Sequence, residues 1–264
     1  MPRHNSRKPI RSTSPVGPVG PAGLQIERLG EILTFTLENP GDGNKVSGKM
    51  MDAMLAELGA EAARPRARVL RIRARGEVFC TGRERAGRNA AEIRREAARI
   101  LAFKRALRTS PLVTVAEVQG DALGFGFGLA ILCDFSLVAE HAGLGFPEMR
   151  SGLPPSAIMA YLGEYTLPRH AFPLVFFGER IDPRRAMQIG LISHVCTAES
   201  LTREADALVE RVLQLDPAAA RACKKFFLSA QQNSFDKNCI LAVKALTAGS
   251  LAVLAKEKST RRDR

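Results

Sequence analysis

Residues 111–149 read PLVTVAEVQGDALGFGFGLAILCDFSLVAEHAGLGFPEM, and this stretch decides the fold of the chain. It opens with the apolar, β-branched run Leu112–Val118, which is typical of a buried strand. Four glycines then follow within nine residues: Gly120, Gly124, Gly126 and Gly128. The segment Leu129–Cys133 comes next and carries no charge. The order predicts a strand, a glycine-rich turn and a buried helix.

A helix that begins at a glycine-rich turn presents unpaired backbone N–H groups and the positive end of its dipole. An oxyanion or a phosphate can bind at such a place. The run Gly124-Phe125-Gly126-Phe127-Gly128 lacks the third glycine that the dinucleotide-binding fingerprint requires. A tightly packed turn where only glycine fits explains the same spacing. The glycines alone therefore leave both interpretations open.

The composition is that of an ordinary globular protein. The chain has 264 residues, of which 45% are hydrophobic and 25% charged, and this length allows a sizeable core. The net charge is +12, but seven of these charges lie in the first 24 and last nine residues. The remainder is mildly basic, which suits a polyanionic ligand or plain solvated surface. With no Trp and two Tyr, a nucleic-acid partner is not expected.

Cysteine usage and hydropathy bear on where the protein works. Five scattered cysteines form no CxxC pair, and no secretory apolar region precedes them. We expect a reducing cytoplasm, no disulfides and no zinc site. We expect no apolar run to approach the roughly 18 residues of a membrane helix, and therefore no membrane partner.

The pattern along the chain divides it into three parts. Residues 1–23 are rich in Pro, Ser, Arg and Gly and are expected to form a disordered tail. Their lack of acids resembles a transit peptide, but the prolines disfavour an amphipathic helix. Strands and helices alternate over residues 24–199, beginning with a hairpin of Leu24–Leu29 and Ile32–Leu37. Residues 200–264 are predicted to be wholly helical. The fold class is therefore α/β with a helical C-terminal region.

Two glycine-bearing loops follow predicted strands, Phe79–Arg83 and Asp121–Gly128. Each can supply a backbone N–H to a shared oxygen, and two such donors form an oxyanion hole. Glu148 lies between Pro147 and Met149, and a carboxylate in apolar surroundings has a raised pKa and can act as acid or base. A solvent-exposed loop glutamate is the alternative. The histidines stand alone without metal-ligand spacing, and no metal is expected.

Several motifs together resemble the enoyl-CoA hydratase/isomerase, or crotonase, superfamily. Val78–Glu84 (VFCTGRE) is similar to the family's F-x-A-G-x-D loop, and Val118–Gly126 (VQGDALGFG) is similar to V-x-G-x-A-x-G-G-G. Phe146-Pro147-Glu148, Gly152–Pro155 and Gly178–Ile192 continue the resemblance. It covers the chain from about Leu24 to Cys196 and, more loosely, the rest.

The resemblance implies a spiral of ββα repeats whose C-terminal helices build trimers, often paired into hexamers. It implies an acyl-CoA substrate, with coenzyme A as part of the substrate and no separate cofactor. The thioester oxygen would sit in an oxyanion hole formed by the backbone N–H groups of Arg83 and Phe125. Glu148 falls on the second of two glutamates that hydratases of the family use for acid–base catalysis.

The departures concern the other catalytic group. The first glutamate would fall at Gly128, which has no side chain, and Arg83 and Glu84 replace a small residue and an Asp. Phe125 and Phe127 would narrow the pocket. The pocket candidates are Gly124, Gly126, Gly128, Phe127 and Asp121.

One retained glutamate matches the isomerase branch, so isomerisation is expected before hydration, with a decarboxylase or hydrolase third. A non-catalytic acyl-CoA-binding member is the alternative from another class. A second carboxylate or a tyrosine close to Glu148 would favour catalysis, and Asp121, Glu84 and Tyr161 are the candidates.

Overall fold

A computed structural model describes residues 20–85 and 87–262. The strands are β1 Leu24–Leu29, β2 Ile32–Leu37, β3 Val69–Ala74, β4 Val113–Val118, β5 Ala122–Leu123, β6 Phe135–Ala139, β7 Leu144–Gly145, β8 Arg180–Ile181 and β9 His194–Cys196. The α-helices are α1 Gly48–Ala63, α2 Ala90–Arg108, α3 Phe125–Leu132, α4 Ser156–Leu162, α5 Pro168–Phe177, α6 Pro183–Gln188, α7 Leu201–Gln214, α8 Pro217–Ala230 and α9 Phe235–Arg262. Short 3-10 helices span Pro40–Asp42 and Pro147–Ser151.

Among the described residues, the main sheet has six strands in the order β1-β2-β3-β4-β6-β9. β1 and β2 form the predicted antiparallel hairpin, and every other neighbouring pair is parallel. A second sheet has the order β5-β7-β8, with β7 parallel to β5 and antiparallel to β8. β3 and β4 are parallel neighbours, so the loops that follow them begin at the same edge of the sheet.

The main sheet is covered on both faces, which explains its apolar strands. Leu70 and Ile72 of β3 belong to the larger core, which also includes residues of α1, α2 and α3. Val69 of β3 belongs to a smaller core under α7. Between these apolar positions, Arg71 Nε donates a hydrogen bond of 2.5 Å to the carboxylate of Glu117 on β4. α7 therefore completes the sandwich, although it lies beyond the predicted boundary at residue 199.

Polar side chains cap the N-termini of three helices. The Ser47 hydroxyl accepts from the N–H of Met50 at 3.2 Å, and Asp182 and Asp216 cap α6 and α8 in the same way. α5 was not predicted, and Pro173 in its interior is the kind of residue that hides a helix from sequence patterns. Residues 1–19 of the predicted tail lie outside the described part, and residues 20–23 form a turn into β1.

The last two helices leave much apolar surface uncovered. No described residue of α8 or α9 is fully buried. Within α9, Phe235–Ala255 is long and apolar enough to cross a membrane by length and composition, with a mean hydropathy of 1.7 and none of it buried. The expectation that no apolar run approaches the length of a membrane helix was wrong. Asp236, Lys237 and Lys244 interrupt the apolar residues of this segment, but its mean hydropathy stays high in spite of these charges.

Candidate active site

The two predicted loops are joined directly. The N–H of Leu123 donates to the Cys80 carbonyl at 2.9 Å, and the N–H of Cys80 donates to the Asp121 carbonyl at 3.1 Å. Gly126 lies against the Cys80 carbonyl as well, since a Cβ there would be 2.2 Å from the Cys80 oxygen. The start of α3 is thus held against the loop that carries Arg83.

Gly124 precedes α3 with a φ of +53° and a ψ of −112°, a conformation that favours glycine. The first helical residue, Phe125, is one of the two predicted oxyanion donors, and a helix leaves its first N–H groups without intrahelical partners. Arg83, the other predicted donor, lies beside Val46 in an isolated parallel β-bridge. The N–H of Val46 donates to the Gly82 carbonyl, and the N–H of Glu84 donates to the Val46 carbonyl. In the described part of the chain, no hydrogen bond is made by the N–H of Phe125 or of Arg83.

Glu148 reaches the start of α3 from the 3-10 helix Pro147–Ser151. A Cβ on Gly124 would lie 2.6 Å from its Oε1, so the carboxylate rests where a side chain on residue 124 would be. Its Oε2 is buried and has no hydrogen-bond partner in the described structure. Burial raises the pKa of Glu148, and the charges of Lys104, Arg83 and Arg85 oppose that rise. Glu148 is therefore a partly desolvated carboxylate and not a solvated loop residue.

Lys104 is a residue that sequence reasoning missed. It comes from α2 and is buried, with 4% of its surface exposed. Its ammonium donates to the Tyr161 hydroxyl at 2.7 Å, and that hydroxyl donates to the Gly128 carbonyl at 3.1 Å. Burial lowers the pKa of Lys104 to about 7, against the favourable charge of Glu148. The signal was its position, since Lys104 is four residues after Ile100 and therefore on the apolar face of α2.

Gly128, where the family's first catalytic glutamate would fall, lies next to Lys104. A Cβ on Gly128 would lie 2.5 Å from the Tyr161 hydroxyl, 2.7 Å from Lys104 Nζ and 2.5 Å from Ile158 Cδ1. The space next to Gly128 is thus occupied by an amine and a phenol, which are polar and can hold protons. Asp121, Glu84 and Tyr161 were the candidates for a second acid–base group near Glu148. Of these three, Tyr161 is the one whose side chain lies next to Gly128.

The other predicted residues have different surroundings. The Asp121 carboxylate accepts from the N–H of Gly143 at 2.8 Å and pairs with Arg180 at 2.7 Å, so it is tied to the second sheet. Phe127 is fully buried and stacks on Phe146 at 5.0 Å, which places it in the core and not on a pocket wall.

The Phe125 ring is 5.3 Å from Lys104 Nζ and stacks on Phe103. Glu84 is exposed. The Arg83 side chain forms an ion pair with Glu96 of α2. In the described ranges, His, Cys, Asp and Glu do not cluster in a way that could hold a metal ion.

Comparison with known proteins identifies the family. A family model described as enoyl-CoA hydratase/isomerase matches residues 27–248. A 2,3-dehydroadipyl-CoA hydratase of Escherichia coli is 28% identical over 222 residues, which cover 79% of this chain and 83% of that protein. A Thermobifida fusca protein solved in complex with CoA is 29% identical, with a TM-score of 0.79 over 89% of this chain and 95% of that one.

An enoyl-CoA hydratase of Mycobacterium smegmatis superposes with a TM-score of 0.83 at 23% identity, over 87% of this chain and 91% of that one. At this identity the likeness shows the fold, which is that of the crotonases. With the family model matching most of the sequence and the structural likeness covering most of the chain, the protein belongs to the enoyl-CoA hydratase/isomerase family of the crotonase superfamily.

Proposed function

We propose that the protein is an enzyme that acts on acyl- or enoyl-CoA thioesters by stabilising an enolate and moving a proton with Glu148. The observation that carries this proposal is the buried Glu148 Oε2 at the start of α3, which has no hydrogen-bond partner among the described residues. A carboxylate kept there without a partner costs stability, and proton transfer gives a reason for keeping it.

The N–H groups of Phe125 and Arg83 are the proposed oxyanion hole. A thioester oxygen held by them acquires negative charge as the α-proton leaves, and each such donor contributes roughly 3–4 kcal/mol to the transition state. The dipole of α3 adds to this because Phe125 is its first residue. The donors are main-chain groups, so the bulky side chains of both residues do not prevent the role.

Isomerisation of a 3-enoyl-CoA is the proposed reaction. Glu148 takes a proton from Cα, the hole holds the dienolate, and a proton returns at Cγ. Hydration by two glutamates is disfavoured because Gly128 offers no carboxylate, although the Escherichia coli relative is named a hydratase. Hydration therefore stands second, and decarboxylation or hydrolysis third. The absence of a carboxylate at Gly128 also supports a second candidate function, that of a non-catalytic acyl-CoA-binding protein.

The proposed assembly is a homotrimer or a pair of trimers, formed through the C-terminal helices. The exposed apolar residues of α8 and α9 support it, among them Phe227, Phe235, Ile240, Leu246 and Leu251. Other copies of the chain, and not a lipid bilayer, are the proposed cover for this surface. A cytoplasmic location, with no cofactor beyond the CoA of the substrate, completes the proposal.

The test is Glu148→Gln, with Glu210→Gln on the exposed face of α7 as control. Purified protein would be screened against crotonyl-CoA and 3-enoyl-CoAs, with butyryl-CoA binding followed by calorimetry. We expect Glu148→Gln to bind as the parent does and to lose about 10²–10⁴-fold in turnover, while Glu210→Gln is unchanged. Full activity of Glu148→Gln would refute the role of Glu148. A parent that binds thioesters without turning any over would favour the non-catalytic candidate.

A further inference from the structure

Resting on the function proposed above, we propose that Lys104, positioned by Tyr161, is a second proton-transfer group of the site and works opposite Glu148. Nothing in the family resemblance assigns a role to either residue. The inference comes from the chain of hydrogen bonds that runs from Lys104 through Tyr161 to the Gly128 carbonyl.

The surroundings of Lys104 do not account for it as a structural residue. Its nitrogen lies 5.3 Å from the centroid of the Phe125 ring and 4.8 Å from that of Tyr161. No described carboxylate forms an ion pair with it, whereas the buried Arg71 of β3 has Glu117. A buried ammonium without such a partner destabilises the fold. A methionine would fill the same space at lower cost, so packing does not explain the lysine.

The charged and titratable groups that face Lys104 come from three directions. Glu148 approaches from the 3-10 helix and Cys80 from the loop after β3, and both act on it electrostatically. Tyr161 approaches from α4. With a pKa of about 7 for Lys104 and a raised pKa for Glu148, one group gives up a proton readily while the other takes one.

The proposed reaction moves one proton at each end of the dienolate. The C–H bond at Cα breaks, its proton goes to a Glu148 oxygen, and its electrons move onto the thioester oxygen in the hole. The dienolate then collapses, an N–H bond of Lys104 breaks, and a C–H bond forms at Cγ. Lys104 is left neutral and Glu148 protonated. Transfer of that proton from Glu148 to Lys104, through water, restores the starting state.

The test compares Lys104→Met and Tyr161→Phe with a control, Lys49→Met on the surface of α1. The rate of 3-enoyl-CoA isomerisation would be measured from pH 5 to pH 9, with thermal melting of each variant. We expect Lys104→Met to lose about 10²–10⁴-fold in kcat/KM and to melt at a higher temperature than the parent. A lysine that only supports the fold would give the opposite melting result, so the two readouts together separate the roles.

Tyr161→Phe tests the positioning role. The hydroxyl accepts a hydrogen bond from the ammonium, so its loss should lower the pKa of Lys104 further and move the alkaline limb of the kcat/KM profile to lower pH. Lys104→Met should abolish that limb, and Lys49→Met should leave it in place.

Full activity and an unchanged alkaline limb in Lys104→Met would overturn the inference while leaving the role of Glu148 intact. Loss of activity confined to Glu148→Gln would overturn it in the same way. A parent that isomerises no thioester overturns the inference together with the proposed function.

Discussion

Replacing Gly126 by alanine tests whether the contact between α3 and the Arg83 loop holds the site together. The added Cβ would stand 2.2 Å from the Cys80 carbonyl oxygen and 2.7 Å from Cys80 Cβ. The first of these is a backbone atom that already accepts the Leu123 N–H at 2.9 Å. It cannot turn away as a flexible side chain can, so the loop or the helix must shift.

The cost has three contributions. Overpacking a closed core costs about 1–3 kcal/mol, and disturbing the Leu123–Cys80 hydrogen bond adds about 0.5–1.5 kcal/mol. Removing a glycine from a helix returns about 0.5–1 kcal/mol. We therefore expect Gly126→Ala to lower the free energy of unfolding by about 1–3 kcal/mol. A shift of 1 Å between the oxyanion donors can cost about 10²-fold in rate.

The matched control is Gly59→Ala in α1. Gly59 is exposed and helical, and a Cβ there meets nothing within 4 Å. This variant should be stabilised by about 0.5–1 kcal/mol and should keep full activity. Urea unfolding and turnover of a CoA substrate would be measured on both. The reasoning is refuted when Gly126→Ala is as stable as Gly59→Ala, because the close contact with Cys80 would then carry no cost.

Two further predictions concern stability and assembly. Burial alone would raise the pKa of Glu61, but the N–H groups of Ala67 and Arg66 and the charge of Arg28 hold it below its usual value. This stabilisation is therefore present above the unfolded pKa and is lost as pH falls through the folded pKa. Glu61→Gln should cost about 1–3 kcal/mol at pH 7 and flatten the acid loss of stability. Equal acid curves for variant and parent would contradict this. Light scattering should give a mass near three or six times 28.7 kDa, and a monomer at micromolar concentration would count against the trimer.

Much of the fold is readable from local sequence. β1 and β2 occur at their predicted bounds, because alternating or continuous apolar runs indicate which residues can be buried. Ser47, Asp182 and Asp216 mark helix starts because a short polar side chain satisfies the first N–H groups. The glycine spacing also predicted the glycine-rich turn, and the apolar neighbours of Glu148 made it a candidate acid or base, to which the family motifs then pointed as well.

Sequence patterns could not supply the contacts that cross the site. Glu148 lies against Gly124, 24 residues earlier, and Lys104 meets Tyr161 from a helix 57 residues away. Asp121, which was predicted to line the substrate pocket, forms an ion pair with Arg180. A periodic pattern shows that Lys104 is on the apolar side of α2, but its partner depends on how α2, α3 and α4 pack.

The sequence by itself determined the α/β class and the family, since these follow from short-range patterns, and the family resemblance predicted the main-chain positions of the proposed oxyanion hole. The tertiary structure alone decided that an amine and a phenol fill the space beside Gly128, because contacts between distant segments are set by packing and not by spacing along the chain.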